Sequence, residues 1–469
     1  MGAIETDYLV VGAGAAGMAF ADALITACDA DVVMVDRRHG SGGHWNDAYP
    51  FVRLHGPSAL YGVNSRRLGP DAIDQGGPNA GYYPRATAAE ICAYYQQVLD
   101  EQLLGSGRVR FSGMSDYSAA RDGHQVTSRL TGETTAIRVR KRVVDARYLE
   151  PSIPATHIPP FGIEPGARLI PVNDLVGLSS PASGFTVLGG GKTAIDACLW
   201  LLSTGVPPEA IRWVRPRDPW LLDRAFQQPL ELLPRLMEGV SLYLEAAAQA
   251  EDVTDLFRRL EACGQLIRLD PAIEPTMFRC ATVSQDELAS LRSIQNVIRL
   301  GRVTCIGPDQ VELADGSIPA DRGQVHVDCT AAGLRTKPAR PVFADGLITL
   351  QQIRACQPVF SAALTGYVEA TRDDARKNLI CPANQYPDAA ADWIPLTCTA
   401  QRAEISWATD PDLAEWMRQS RLNATCGVAD HRGDPLMTSA LARLFTNIEP
   451  AISRLETLMA GTGAGSTRR

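Results

Sequence analysis

Two stretches of the chain repeat one pattern. Residues 7–38 read strand, glycine turn, small-residue helix, strand, and residues 185–217 read the same way about 180 residues later. A βαβ beginning of this kind opens a dinucleotide-binding fold, so the pair predicts an α/β chain with two Rossmann-like domains plus helix-rich insertions and a C-terminal region. Length agrees: 469 residues, 45% hydrophobic and 21% charged, suffice for two or three cores.

The order of elements follows from local pattern. The first unit is expected over 1–165, with a helix at 85–104 and short strands near 108–111, 124–130, 135–140 and 142–146. The stretch 151–171, rich in Pro, reads as an extended linker. The second unit is expected over 166–325, interrupted at 219–300 by a leucine-rich helical insertion that covers a site. Residues 303–330 read as strands with a hairpin at Asp315-Gly316. Residues 326–460 are expected to return to the first domain and end in helical and irregular structure, leaving a flexible Gly/Ser/Thr/Arg tail at 461–469.

Composition excludes several functions. The net charge of −8 disfavours nucleic acid and anionic membranes as partners, and the basic run Arg140-Lys141-Arg142 is too short to override it. No apolar run reaches the ~18 residues of a membrane span. The N-terminus enters a strand almost at once, which leaves no room for a secretory signal; Met1-Gly2 with Thr6 fits a minimal myristoylation pattern but leads into that strand. Eleven Cys are scattered without a CxxC or CxxxxC spacing, which suits unpaired thiols in a reducing cytoplasm. Cys and the seven His show no metal-ligand spacing, so no metal is expected. Arg outnumbers Lys heavily, a bias of GC-rich bacterial coding.

The first glycine turn follows the apolar strand Tyr8-Leu9-Val10-Val11. Gly12 permits the tight turn, Gly14 lets backbone approach a pyrophosphate, and Gly17 lets helix and strand pack closely. Asp36, ending the next strand 22 residues past Gly14, stands where a carboxylate binds a ribose. Arg37 and the segment Gly42-Gly43-His44-Trp45 follow, then Tyr49-Pro50, Arg53 and Ser58-Ala59-Leu60-Tyr61. This series resembles the GGxW segment of flavin-containing and Baeyer–Villiger monooxygenases, class B flavoproteins with two dinucleotide domains. The resemblance implies FAD at the first site, with Gly43, His44 and Trp45 beside it.

The second turn, Gly189-Gly190-Gly191-Lys192-Thr193-Ala194, resembles the NADP-binding segment of the same monooxygenases. Its second strand ends in Arg215-Pro216-Arg217, where a guanidinium pairs with a 2′-phosphate and a carboxylate would repel one. NADPH is therefore preferred over NADH. The run Val325 to Gly333 resembles the strand and turn that return the chain to the FAD domain in such flavoproteins.

The resemblance implies an oxidoreductase that reduces FAD with NADPH and, with O2, oxygenates a small organic substrate in N-, S- or Baeyer–Villiger fashion. Departures leave that last step open. His55 stands where Baeyer–Villiger enzymes carry an Asp, and the linker fingerprint is not intact around His157 to Gly162. Asn64 and Ser65 match the Asn-Ser pair of N- and S-oxygenases, so Asn64, His55 and Arg53 are the candidate catalytic residues. Two other readings stay open, a flavin oxidoreductase or oxidase without oxygen insertion and a dinucleotide-binding protein without turnover. Substrate and oligomeric state, monomer or homodimer, are not readable.

Overall fold

The computed structural model describes residues 3–120 and 123–461; the expected tail beyond 461 lies outside them. The first sheet is mainly parallel. Its core order is Leu347–Thr349, Thr134–Asp145, Ile4–Val11, Val32–Val35, Val109–Ser112. The hairpin Ser115–Ala120 with Gly123–Ser128 joins it antiparallel to Thr134–Asp145. All four residues of Val32–Val35 are buried, as befits a central parallel strand covered on both faces. The strands expected at 135–140 and 142–146 form one continuous strand, because Thr6/Tyr8 absorb a register shift opposite it.

The helices Ala15–Ala27 and Pro358–Thr371 cover this sheet and meet through a glycine. A Cβ at Gly366 would lie 2.5 Å from the Phe20 carbonyl oxygen and 3.2 Å from the Leu24 nitrogen, so the helices touch backbone to backbone. The helix expected at 85–104 starts on a capping box, Thr87 with Glu90, and widens after Gln97 into a looser turn over Val98–Leu103.

The second sheet is wholly parallel, in the order Val297–Ile298, Ile211–Val214, Gly184–Leu188, Gln324–Asp328, Leu169–Pro171. This corrects two boundaries. Gln324–Asp328 belongs to the second unit rather than starting the return, since all five residues are buried and pair with Gly184–Leu188. The insertion ends before Val297, which closes the sheet edge. Return to the first unit begins near Gly333, whose backbone bridges Ser152.

The insertion is mixed rather than helical throughout. Pro219–Asp223, Leu266–Arg268 and Met277–Val283 form a small sheet beside the helices Leu233–Gln249, Val253–Ala262 and Gln285–Arg292. It packs on the C-terminal helices. Trp393 sits 5.0 Å from Tyr243 and 5.4 Å from both Phe257 and Phe278, ring centre to ring centre. One expectation fails outright here: Cys280 and Cys356, 76 residues apart with Cα atoms 6.3 Å apart, form a disulfide. No spacing motif could have revealed it, because the fold, not the chain, brings the two together.

Gly366→Val should destabilise the fold by about 3 kcal/mol, the upper end of the cost of overpacking a tight contact. Urea unfolding checks this; an unchanged midpoint would show that the two helices do not need the close approach.

Candidate functional site

Strand Ile4–Val11 delivers the chain to Gly12, which takes φ +109°, a conformation open to glycine. A Cβ at Gly17 would fall 2.0 Å from the Gly12 carbonyl, so helix and turn interlock. The helix Ala15–Ala27 starts at Gly14 with no side-chain cap, leaving first-turn N–H groups for an anion. Asp36 folds back on the turn: its Oδ2 accepts from the Ala13 N–H at 2.7 Å and its Oδ1 from the Arg38 N–H at 2.8 Å. Arg37 reaches outward to Glu150.

The segment Gly42–Trp45 docks on this turn. The Gly42 N–H donates to the Ala13 carbonyl at 3.0 Å, and a Cβ at Gly43 would lie 2.8 Å from the Cα of Gly14. A side chain at Gly43 would therefore clash with the turn, whereas a Cβ at Gly14 would stand an ordinary 3.5 Å from the Gly43 Cα. Trp45 Nε1 donates to the Tyr61 hydroxyl at 2.8 Å, and the rings meet edge to face. His44 lies 5.0 Å from the Trp45 ring; burial, then the Arg38 charge, lowers its pKa to about 4.

The second turn has the same construction. Gly189 takes φ +126°, and a Cβ at Gly190 would fall 2.4 Å from the Arg217 carbonyl. A Cβ at Gly191 would meet nothing within 4 Å, and the helix Lys192–Ser203 starts there without a side-chain cap. Lys192 is paired with Asp196 one turn on, and burial lowers the lysine pKa. The Tyr49 hydroxyl donates to Asp196 Oδ2 at 2.8 Å and accepts from Thr193. Phe51 stacks on Trp200 at 4.8 Å. The chain segment that follows the first cradle is thus bonded and stacked onto the helix of the second.

The arginines at the second strand end are both paired with carboxylates and differ in burial. Arg215 is 3% exposed, lies 4.6 Å over the Trp213 ring and pairs with Asp218 at 3.3 Å. Burial makes it a structural cation. Arg217 is one-third exposed, its side chain at 34%, and pairs with Asp388 at 2.8 Å. Gly333, at φ +63°, sits in the open bridge to Ser152.

The candidate catalytic residues separate. Asn64 is tied into the scaffold: its Oδ1 accepts from the Ser420 hydroxyl at 2.8 Å, and neighbouring Ser65 donates to Asp22 in the first helix. Arg421 clamps the same segment through the carbonyls of Ala59, Tyr61 and Val63. Asn64 is half-buried, and of its amide the oxygen is the atom these contacts engage. Arg53 and His55 keep exposed surface, and protein crowds the His55 ring. Burial, then Lys192, holds the His55 pKa down at about 3, and the ring bonds the Cys280 backbone. Arg53 Nη1 donates to the Arg85 carbonyl at 3.0 Å.

Sequence reading missed Arg85, Arg224 and Glu287. Arg85 and Arg224 meet Glu287 at 2.8 and 2.5 Å, across sequence separations of 202 and 63 that no local pattern signals.

The family described as NAD(P)-binding Rossmann-like domain matches residues 10–66, the first turn and its docked segment. Uncharacterized proteins of Mycobacterium tuberculosis and Mycobacterium bovis are each 47% identical over 422 residues, 90% of this chain and 78% of theirs. The chain belongs to the family of these mycobacterial proteins. Solved structures share this family's fold: a polycyclic ketone monooxygenase from the fungus Thermothelomyces thermophila at TM-score 0.50 and 14% identity, over 100% of this chain and 89% of that one. Cyclohexanone-bound cyclohexanone monooxygenase matches at TM-score 0.50 and 13% identity, over 93% and 99%. The fold of this mycobacterial family is that of flavin monooxygenases, in agreement with the resemblance carried by the two turns.

Three histidines, 44, 55 and 326, have pKa values lowered to about 4, 3 and 4 by burial. The unfolded chain protonates them near 6.5. The unfolded state therefore binds more protons below that pH, and these groups make stability fall as pH drops from about 6.5 toward 4. His326→Gln should flatten that slope, read as urea midpoint against pH; an unaltered slope would mean that His326 is protonated in the folded protein.

Proposed function

We propose that the protein is an NADPH-dependent FAD monooxygenase acting on a small organic substrate with O2. The observation that carries this reading is the hydrogen bond from Tyr49 to Asp196. It joins the segment leaving the first cradle to the helix of the second, so the two dinucleotide turns stand side by side as electron transfer between two bound nucleotides requires.

The residues fit the two groups. The uncapped N-terminus at Gly14, with Gly43 pressed against it, offers backbone N–H to a pyrophosphate and no side chain to obstruct one. Asp36, already turned onto the loop, is placed for a ribose hydroxyl pair. The open Gly191 and the helix start at Lys192 offer the second phosphate cradle. Bound FAD supplies the hydride acceptor and the reaction with O2. The chain does the rest. Trp45 and Tyr61 close one wall against water. His55, uncharged across the neutral range, can donate or accept one hydrogen bond without bringing a charge. Arg217 exchanges Asp388 for a 2′-phosphate.

The test is direct. Purified protein should show a bound-flavin spectrum that bleaches with NADPH under argon and recovers in air, with substrate suppressing hydrogen peroxide release. Absence of flavin overturns the reading. Peroxide formed one for one with NADPH, whatever organic compound is offered, would make the protein an oxidase instead.

Arg217→Ala should cut the preference for NADPH over NADH about tenfold, the equivalent of one charge-assisted hydrogen bond. Arg215→Ala should instead lower the melting temperature. Steady-state kinetics with both nucleotides decide it; the reverse pattern would return the phosphate to Arg215.

A further inference from the structure

Both ends of the Cys280–Cys356 bond sit in strained backbone. Cys280 takes φ +57° and Cys356 φ +58°, the left-handed region that residues with a side chain avoid. Outside glycine, only Met114 and Leu230 share that region among the described residues. Cys280 lies where the strand Met277–Val283 slips register against Pro219–Asp223, between Phe278 and Thr282. Cys356 stands two residues before the helix Pro358–Thr371. Cys280 is buried and Cys356 half-buried, so Cys356 is the end that solvent reaches.

The bond closes a frame around the loop from Cys381 to Asp388. On one side the Asn384 N–H donates to the Gln352 carbonyl at 2.7 Å, and Gln352 Oε1 accepts from the Cys356 N–H at 3.1 Å. On the other side the Tyr386 hydroxyl donates to the Arg279 carbonyl at 2.8 Å, and the Phe278 N–H donates to the Asp388 carbonyl at 2.9 Å. The neighbours of each cysteine thus grip one end of the same loop, and the disulfide fixes the two grips against each other. Arg279, next to Cys280, spends Nη1 and Nη2 on the carbonyls of Ala332 and Leu334. Its Nε is shut from water without a hydrogen bond, 3.3 Å from Asp388 Oδ1. Arg217 holds both Asp388 oxygens, at 2.8 and 3.0 Å, and Arg302 acts on the carboxylate at longer range. An idle donor therefore stands beside the carboxylate that Arg217 must release to take a phosphate.

We propose that Cys280–Cys356 is a reversible thiol-exchange site that sets the affinity for NADPH. This rests on the reading of Arg217 as the phosphate contact. A low-molecular-weight thiolate attacks the Cys356 sulfur, and Cys280 leaves as a thiolate. A second thiolate attacks the mixed disulfide and releases Cys356. The two cysteine sulfurs take up two protons, and two external thiols end as one disulfide. Reduction frees both cysteines from the left-handed region, so the strand relaxes at its bulge. With the bond closed, Arg279 is held where it takes Asp388 over from Arg217; with the bond open, Asp388 stays on Arg217 and opposes the nucleotide.

Thiol labelling of the folded, flavin-loaded protein with iodoacetamide, read by peptide mass mapping, tests the exchange. After oxidised glutathione Cys280 and Cys356 should resist the label. After reduced glutathione both should take it without urea, and oxidised glutathione should protect them again. Calorimetry should show NADP+ binding about tenfold more weakly to the reduced form, a coupling of ordinary size between two sites. Cys356→Ser should stay at the weaker affinity whatever glutathione is present. Arg279→Gln keeps the bond and should show the same loss, which holds the test if the cysteine variant does not fold. Labelling of both cysteines after oxidised glutathione, reduction that needs urea, or equal NADP+ affinity in the two forms would overturn the inference. If Arg217→Ala leaves the nucleotide preference unchanged while glutathione still shifts NADP+ affinity, the phosphate reading of Arg217 falls and the exchange site stands.

Discussion

Glu287 is the carboxylate on which the arrangement of parts depends. It occupies the third position of the helix Gln285–Arg292 and closes that helix's capping box with Ser284. Its two oxygens also hold Arg85 from the first unit and Arg224 from the insertion. Burial alone would push its pKa up, but Arg224 and Arg85 outweigh this and keep the group below the usual carboxylate range. One side chain therefore starts a helix, fixes the insertion and ties both to the first domain. Each role makes the others cheaper, since the carboxylate is desolvated once and bonded three times.

The two glycine turns were legible because their physics is local. A strand, a glycine at positive φ and a helix that begins without a side-chain cap are all set within about twenty residues. The same holds for the docked Gly42–Trp45 segment, whose Gly43 is explained by contact with Gly14 and whose Gly42 by a φ of +102°. What escaped the sequence depends on pairs far apart. The Arg85–Glu287 contact, the Cys280–Cys356 bond and the shared aromatic core around Trp393 each join segments that no periodicity relates. The insertion and the C-terminal region offered no motif, and the structure shows why: each supplies only part of a common core.

Two candidate residues show how neighbours take up groups that the chain offers. Arg215 stands at the strand end where the sequence resemblance expects a phosphate contact, but Trp213 and Asp218 engage it. Asn64 stands in a segment that resembles a flavin contact, but Ser420 donates to its amide oxygen. Charge and residue type were visible in the chain. Competition from neighbours was not, because it is decided by side chains that arrive 3 and 356 residues away.

The segment from His44 to Phe51 leaves one cradle and ends in the core of the other unit, with Tyr49 bonded to Asp196 and Phe51 stacked on Trp200. Covalently it belongs to the first domain; by packing it belongs to the second. The two domains therefore do not form a hinge of two free lobes. Any swing of one against the other would have to tear an aromatic stack or carry the loop along, so the cradle itself would act as the lever that transmits the motion.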